Sequence, residues 1–222
     1  MIAIIPARSG SKGLKNKNIK FFKGRPLICH TIESALKSKY ISRVIVSTDS
    51  KKIAKIAKVN GAEIPFLRSK ALSSDKAKAV DVYIDVLNKI KIKEKIKISN
   101  FIVLLPTSPL RSSKDIDLAI ELFNKKKAYS VISISKFETP VEWILKKKND
   151  KIYKKFINFK EIQNRQSAED LYIPNGAIYV FDTNYFKNKK KYYSKKTYGY
   201  LMPKERSIDI DDILDFKLAE LL

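Results

Sequence analysis

Ile2-Ala3-Ile4-Ile5-Pro6-Ala7-Arg8-Ser9-Gly10-Ser11-Lys12-Gly13-Leu14-Lys15-Asn16-Lys17-Asn18 begins as an apolar run, stops at a proline and breaks into a polar loop. Ile2–Ile5 reads as a buried strand. The loop after it holds Gly10 and Gly13 among the cations Arg8, Lys12, Lys15 and Lys17. A strand that ends in such a loop delivers backbone N–H groups and positive charge to one point. Phosphate needs both, because its oxygens are fixed acceptors and its charge must be offset. Neither familiar phosphate template fits: the two glycines are too close for a P-loop, and none precedes Gly10 at dinucleotide-fold spacing. Spacing alone leaves a generic glycine turn open, and the density of cations favours a phosphate.

Outward from this loop, short apolar runs alternate with helical patterns. Pro26 opens a helix through Leu36, since proline suits a first helical turn. Val44–Val46 is a strand, and Asp49 or Ser50 can cap a helix from Lys51 to Val59 that Asn60-Gly61 ends. Glu63–Leu67 reads as a short strand and Asp75 to Ile90 as a helix. Phe101–Leu105 is a buried strand by continuous apolarity, Ser113 caps a helix to about Asn124, and Tyr129–Ile134 is the next strand. From Lys136 to Tyr172 the chain is polar, aromatic-studded and poorly periodic, which reads as an inserted arm. Ala177–Phe181 resumes as a strand, and a helix follows from Ile213. Apolar strands alternating with helices imply an α/β fold with a mostly parallel sheet covered on both faces, as one domain over residues 1–222. Ligands in such sheets bind in the loops that follow the strands.

Composition narrows the classes. The chain has 222 residues and 44% hydrophobic content, enough for a core, with 6 Gly and 8 Pro arguing against disorder. No apolar stretch nears the roughly 20 residues of a membrane helix, and no basic segment precedes the first apolar run. The expectation is a cytoplasmic protein with no membrane partner. One Cys and one His exclude an intrachain disulfide and argue against a zinc site or a Cys/His dyad. The net charge of +23 invites a nucleic-acid reading. However, only Arg8, Arg25, Arg43, Arg68, Arg111, Arg165 and Arg206 are arginines; the remaining cations are lysines spread along the whole chain. Nucleic-acid readers cluster their cations and use arginine forks, so no nucleic-acid partner is expected, while an anionic small molecule would benefit from the field.

Other motifs carry chemistry with two readings each. Asp209 and Asp211 flank Ile210 in an extended-looking segment, so both carboxylates face one side, and Ile208 and Ile210 the other. Paired carboxylates suit Mg²⁺, which takes carboxylate and phosphate oxygens; a solvated acidic turn capping the last helix through Asp211 or Asp212 is the alternative. Arg68, ahead of Ser73-Ser74-Asp75, is a binding residue or a surface arginine beside a helix cap. Pro106 to Arg111 follows the central strand and is a binding loop or a rigid turn, with Arg111 read as structural. Asn175-Gly176 offers amide hydrogen bonds or a turn before a strand.

Pro6-Ala7-Arg8-Ser9-Gly10-Ser11-Lys12-Gly13 with Lys17-Asn18 resembles the signature loop of the cytidylyltransferases that make CMP-activated acidic sugars, the acylneuraminate cytidylyltransferases closest among them. The resemblance spans nearly the whole chain: Val46-Ser47-Thr48-Asp49, Leu67-Arg68, Leu72-Ser73-Ser74-Asp75, Pro106-Thr107-Ser108-Pro109-Leu110-Arg111, Arg165-Gln166, Pro174-Asn175-Gly176-Ala177-Ile178-Tyr179 and Ser207-Ile208-Asp209-Ile210-Asp211. It implies a Rossmann-like three-layer α/β/α nucleotide-diphospho-sugar transferase fold and transfer of CMP from CTP to the anomeric hydroxyl of an acidic nine-carbon sugar. By resemblance, Ala7, Arg8, Ser11, Lys12, Gly13, Lys17, Asn18, Arg68 and Ser74 bind the nucleotide. Arg8, Lys17 and Asp211 are the catalytic group, and Asp209 and Asp211 hold Mg²⁺. Leu105, Thr107, Arg165, Asn175 and Tyr179 form the sugar side, and the arm over residues 136–172, with Trp143, Tyr153, Phe156 and Phe159, makes a homodimer. Three positions depart from the sialic-acid pattern: Leu105 replaces a glutamine, Ile173 an arginine and Glu142 a cation. All three lie in the sugar half, which leaves a legionaminic or octulosonic acid open as the acceptor. A basic nucleic-acid-binding protein is the reading from a different class.

Overall fold

The computed structural model describes residues 1–10, 13–154 and 169–222. In chain order the strands are β1 (Ile2–Pro6), β2 (Phe21–Phe22), β3 (Arg25–Pro26), β4 (Arg43–Ser47), β5 (Asn100–Leu104), β6 (Ser130–Phe137), β7 (Leu145–Lys148), β8 (Lys151–Lys154), β9 (Leu171–Asp182) and β10 (Thr197–Leu201). The helices are α1 (Leu27–Leu36), α2 (Lys51–Val59), α3 (Ala79–Glu94), α4 (Ser113–Lys126), α5 (Thr183–Lys189) and α6 (Ile213–Leu221). A six-stranded sheet runs β10-β6-β9-β5-β1-β4. Strand β1 pairs parallel with β4 and β5, β10 pairs parallel with β6, and β9 alone runs against its neighbours.

The strand alternation divides the core in two. Ala3 and Ile5 of β1 face α1, α2 and α4, where Ile32, Ile53 and Ile120 are buried. Ile2 and Ile4 face α3 and α5, where Leu87, Ile90 and Phe186 close the other layer. Each such side chain contributes about 1.5–3 kcal/mol when taken out of water. Helix α6 sits apart, folding Phe216 edge-on to Phe22 and covering Ile210.

The sequence reading holds for the parallel half of the sheet, with local corrections. Ser50 caps α2 by accepting from the Ile53 N–H at 3.3 Å. Ser112, not Ser113, caps α4 in a reciprocal box with Asp115, and Asp212 does the same for α6 with Asp215. The expected strand over 63–67 reduces to one bridge between Ile45 and Glu63, because Pro65 has no N–H for a ladder. The helix expected from Asp75 starts at Ala79, and the residues ahead of it line a cavity instead. The arm is rooted more deeply than its composition suggested: Lys136 and Phe137 pair with Tyr172 and Leu171 inside the central sheet. Beyond that root, β7 and β8 form an antiparallel hairpin.

Candidate active site

Strands β1, β4 and β5 end side by side, so the loops after them converge. The loop after β1 is braced from several directions. The Ala7 N–H donates to the Ser47 carbonyl at 2.9 Å. Asp49 accepts from the Ser9 N–H at 2.9 Å and from its hydroxyl at 2.6 Å. Burial pushes the Asp49 carboxyl up, and the two bonds from Ser9 outweigh this, leaving it below its ordinary value. Asn18, buried, donates from Nδ2 to the Arg8 carbonyl at 3.0 Å. The Arg8 guanidinium is thereby aimed into the cleft, where it meets Asp75 at 2.7 Å.

Opposite this loop lies the segment before α6. Ile208 and Ile210 pack into the apolar cluster under α6, as alternation requires. The Ile210 N–H donates to the Thr107 carbonyl at 2.8 Å, fixing the segment to the loop after β5. Lys17 bridges the gap: its Nζ donates to the Ile210 carbonyl at 2.6 Å and to Asp211 Oδ1 at 3.1 Å, 194 residues away in sequence. Gly13 lies so close that a Cβ there would overlap the Asp211 carbonyl oxygen. Arg8, Gly13, Lys17, Thr107 and Asp211 line one cavity of about 300 Å³.

Asp209 is half-hidden beneath Asp211. Its Oδ1 is buried without a hydrogen-bond partner. Burial raises its pKa, opposed by a hydrogen bond from Thr107 and reinforced by the Asp211 charge. Gly176, with φ +77°, comes so near that a Cβ would lie 3.0 Å from Asp209 Oδ2. An orphaned buried carboxylate oxygen beside an exposed second carboxylate suits a divalent cation that keeps several waters and takes phosphate oxygens. Among the described residues no cluster of three or more His, Cys, Asp or Glu could cage a metal by itself, and Mg²⁺ on a nucleotide needs no such cage.

A second cavity, of about 520 Å³, shares Pro6, Arg8 and Leu105 with the first, so the two form one cleft. Arg68, Ser74 and Tyr179 line it. Arg68 is not a surface arginine. It is buried, its Nη2 donates to the Ser47 carbonyl at 3.0 Å, and its Nε has no partner. Burial lowers its pKa, with the Asp49 charge acting the other way. Burial likewise raises the Tyr179 phenol to about 12.

Asn175 is more structural than its motif suggested. Asn175 Oδ1 accepts from the Ser133 hydroxyl at 2.6 Å and the Ala177 N–H at 3.2 Å, while Nδ2 donates to Ser207 at 2.9 Å. Its amide thus holds the turn that carries Gly176. Arg111 is 2% exposed and donates from Nη1 to the carbonyls of Leu105 and Ala177. Burial brings its pKa down to about 9. Ser11, Lys12 and Arg165 lie outside the described residues, as do Phe156 and Phe159. Sequence reasoning missed Tyr83, Tyr192 and Tyr193 in the cleft wall; they come from α3 and from the turn after α5, where no motif marks them.

A cationic loop after β1 facing paired carboxylates across a cleft at the strand ends defines a nucleotide-handling α/β protein. Comparison with known proteins makes this specific. The cytidylyltransferase family model matches residues 2–217, and the chain belongs to that family. It is 36% identical to an N-acylneuraminate cytidylyltransferase of Escherichia coli, over 99% of this chain and 51% of that one. The chain therefore spans about half the length of that relative. It is 35% identical to a CMP-N,N'-diacetyllegionaminic acid synthase of Legionella pneumophila, over 100% of this chain and 95% of that one. A solved structure of CMP:2-keto-3-deoxy-manno-octonic acid synthetase with CTP shares the fold at TM-score 0.70 and 15% identity, covering 99% of this chain and 96% of that one.

Proposed function

We propose that the chain transfers CMP from CTP to the anomeric hydroxyl of an acidic nine-carbon sugar. The hydroxyl oxygen attacks the α-phosphorus, the bond from that phosphorus to the β-phosphate bridge breaks, and pyrophosphate leaves. One observation carries this reading: the Arg8–Lys17 loop and the Asp209–Asp211 segment, from opposite ends of the chain, close on each other at Gly13 and Lys17. Arg8 and Lys17 bind the β- and γ-phosphates, with Lys12 and the amides around Ser11–Gly13 completing the cradle. Their charge is worth most as pyrophosphate departs. Arg68 and Ser74 line the nucleoside end, and Tyr179, Thr107 and Arg165 belong to the sugar side. Asp209 and Asp211 would hold Mg²⁺, which when bound neutralises phosphate charge and polarises the α-phosphoryl group. One of the two carboxylates would accept the hydroxyl proton.

CTP as donor would place the reaction in the cytoplasm; among the described residues no helix is long and apolar enough to cross a membrane. The β7–β8 hairpin exposes Ile152 and Tyr153, with Trp143 exposed just before it, and a second copy of the chain covering these residues gives the homodimer. Sedimentation should show a dimer at micromolar concentration; a monomer there removes the assignment. The reaction is tested by pyrophosphate release with CTP across a panel of acidic sugars, with and without a chelator. Release is expected with at least one nine-carbon acid, to vanish with chelator and to return with Mg²⁺. No release with any acid rejects the reading.

A further inference from the structure

We propose that Asp75 is a positioning residue for phosphate exchange: it occupies Arg8 in the free protein and yields it to the triphosphate. This rests on the reading of Arg8 as a ligand of the β- and γ-phosphates. Arg8 Nη1 meets Asp75 Oδ1 at 2.7 Å, and the two side chains are 33% and 50% exposed. Arg8 also lines the cavity that holds Lys17 and Asp211, and a third one, of about 250 Å³, with Asn16, Asn18 and Lys52. Asp75 lines the larger chamber and neither of these two. The guanidinium thus stands where three cavities meet, and its carboxylate partner draws it toward one of them.

The contact has the character of an exchange and not of a strut. The backbone of the loop is held without it, by Ser47 at Ala7, by Asn18 at the Arg8 carbonyl and by Asp49 at Ser9. The Arg8 side chain can therefore turn while the loop stays in place. An ion pair this exposed is weak, because both charges keep water. A phosphate group carries more charge and more acceptor oxygens than a carboxylate, so it displaces Asp75 from the guanidinium fork. Asp75 has a second effect on the empty chamber. The Arg8 charge adds to burial in lowering the pKa of Arg68, so two guanidiniums repel across the same wall. The carboxylate offsets that repulsion while no phosphate is present, and takes Arg8 back as pyrophosphate leaves.

The test measures pyrophosphate and CMP binding by calorimetry with Mg²⁺ present, alongside the kinetics with CTP. Asp75→Asn should bind pyrophosphate about 2- to 6-fold more tightly, because Arg8 no longer has to leave an exposed ion pair. The KM for CTP should fall by a similar factor. CMP, which lacks the β- and γ-phosphates, should bind as it does to wild type. Asp75→Glu keeps the carboxylate and should stay with wild type. In an Arg8→Ala background, Asp75→Asn should bring no gain, since the cation it releases is gone. Unchanged or weaker pyrophosphate binding by Asp75→Asn overturns the proposal, as does an equal gain for CMP or a gain that survives Arg8→Ala. A fall in kcat at unchanged KM also overturns it, and makes Asp75 an orienting residue of the loaded site. If any of these results comes from a protein that still transfers CMP, the transfer reading stands. If wild type binds neither CTP nor pyrophosphate, both readings fall.

Discussion

Two carboxylates, one buried and one half-buried, show how this molecule separates scaffold from chemistry. Asp115, on α4, accepts from Arg206 Nε at 2.9 Å and Nη2 at 3.0 Å, from the Ser112 N–H at 2.9 Å and hydroxyl at 2.6 Å, and from the Tyr200 hydroxyl at 3.0 Å. Asp209, at the cleft, keeps one oxygen buried with no partner. Burial pushes both carboxyls up. At Asp115 the bonds from Arg206 and Ser112 prevail and hold it below its ordinary value; at Asp209 burial prevails. A saturated charge fixes a helix against a sheet edge, and an unsaturated one is held ready for a ligand.

The largest effect should separate the two by kind. Asp209→Asn should cut turnover by about a thousandfold, or about 4 kcal/mol of barrier. It should leave the urea midpoint unchanged or higher, since it removes a poorly compensated buried charge. A variant that loses stability along with activity would make Asp209 a structural residue like Asp115. The converse substitution, Asp115→Asn, should destabilise by about 1–3 kcal/mol, because it weakens the bonds that Arg206, Ser112 and Tyr200 make to one buried carboxylate, while Arg206 keeps Glu205. Its folded fraction should keep the KM for CTP. The Asp115 pKa is lower folded than unfolded, so its stabilisation is complete above the ordinary carboxylate range and is lost as pH falls through the folded value. The gap between wild type and Asp115→Asn in urea melts is therefore full at neutral pH and closes in acid. A gap that widens in acid would contradict the assignment.

This comparison also marks what could be read from the chain. The apolar strands β1, β4 and β5 and helices α1, α2 and α4 were legible because their periodicity decides them, and the carboxylate pair because Ile208 and Ile210 alternate with it. The sequence reading omitted β10 and α5, which lie among lysines and tyrosines in 183–201 where period and polarity decouple. Asp75 read as part of a helix; in the structure it meets Arg8 and lines the cleft, a contact across 67 residues that no local pattern encodes. The motif resemblance puts Leu105 on the sugar side; that its side chain lines both cavities and reaches Gly176 is a tertiary fact.

The smallest effect tests how the charged half of the cleft is assembled. Gly10 and Gly13 look alike in sequence, two glycines in one cationic loop. In the structure Gly10 has nothing within 4 Å of a Cβ position, while Gly13 abuts the Asp211 carbonyl. No unusual backbone angle is involved at Gly13, so the cost of a side chain there is steric. Gly13→Ala must push the loop from the Asp211 segment. Because the loop is tied to that segment chiefly through Lys17, the displacement should fall on the site more than on the core. The expected outcome is a drop of about tenfold in kcat/KM for CTP, or about 1.4 kcal/mol, with little change in the urea midpoint. Gly10→Ala, which meets open space, should behave as wild type in the same assay. Equal behaviour of the two variants would mean that the Gly13 contact does not set the distance between the cations and the carboxylates, and that Lys17 alone does.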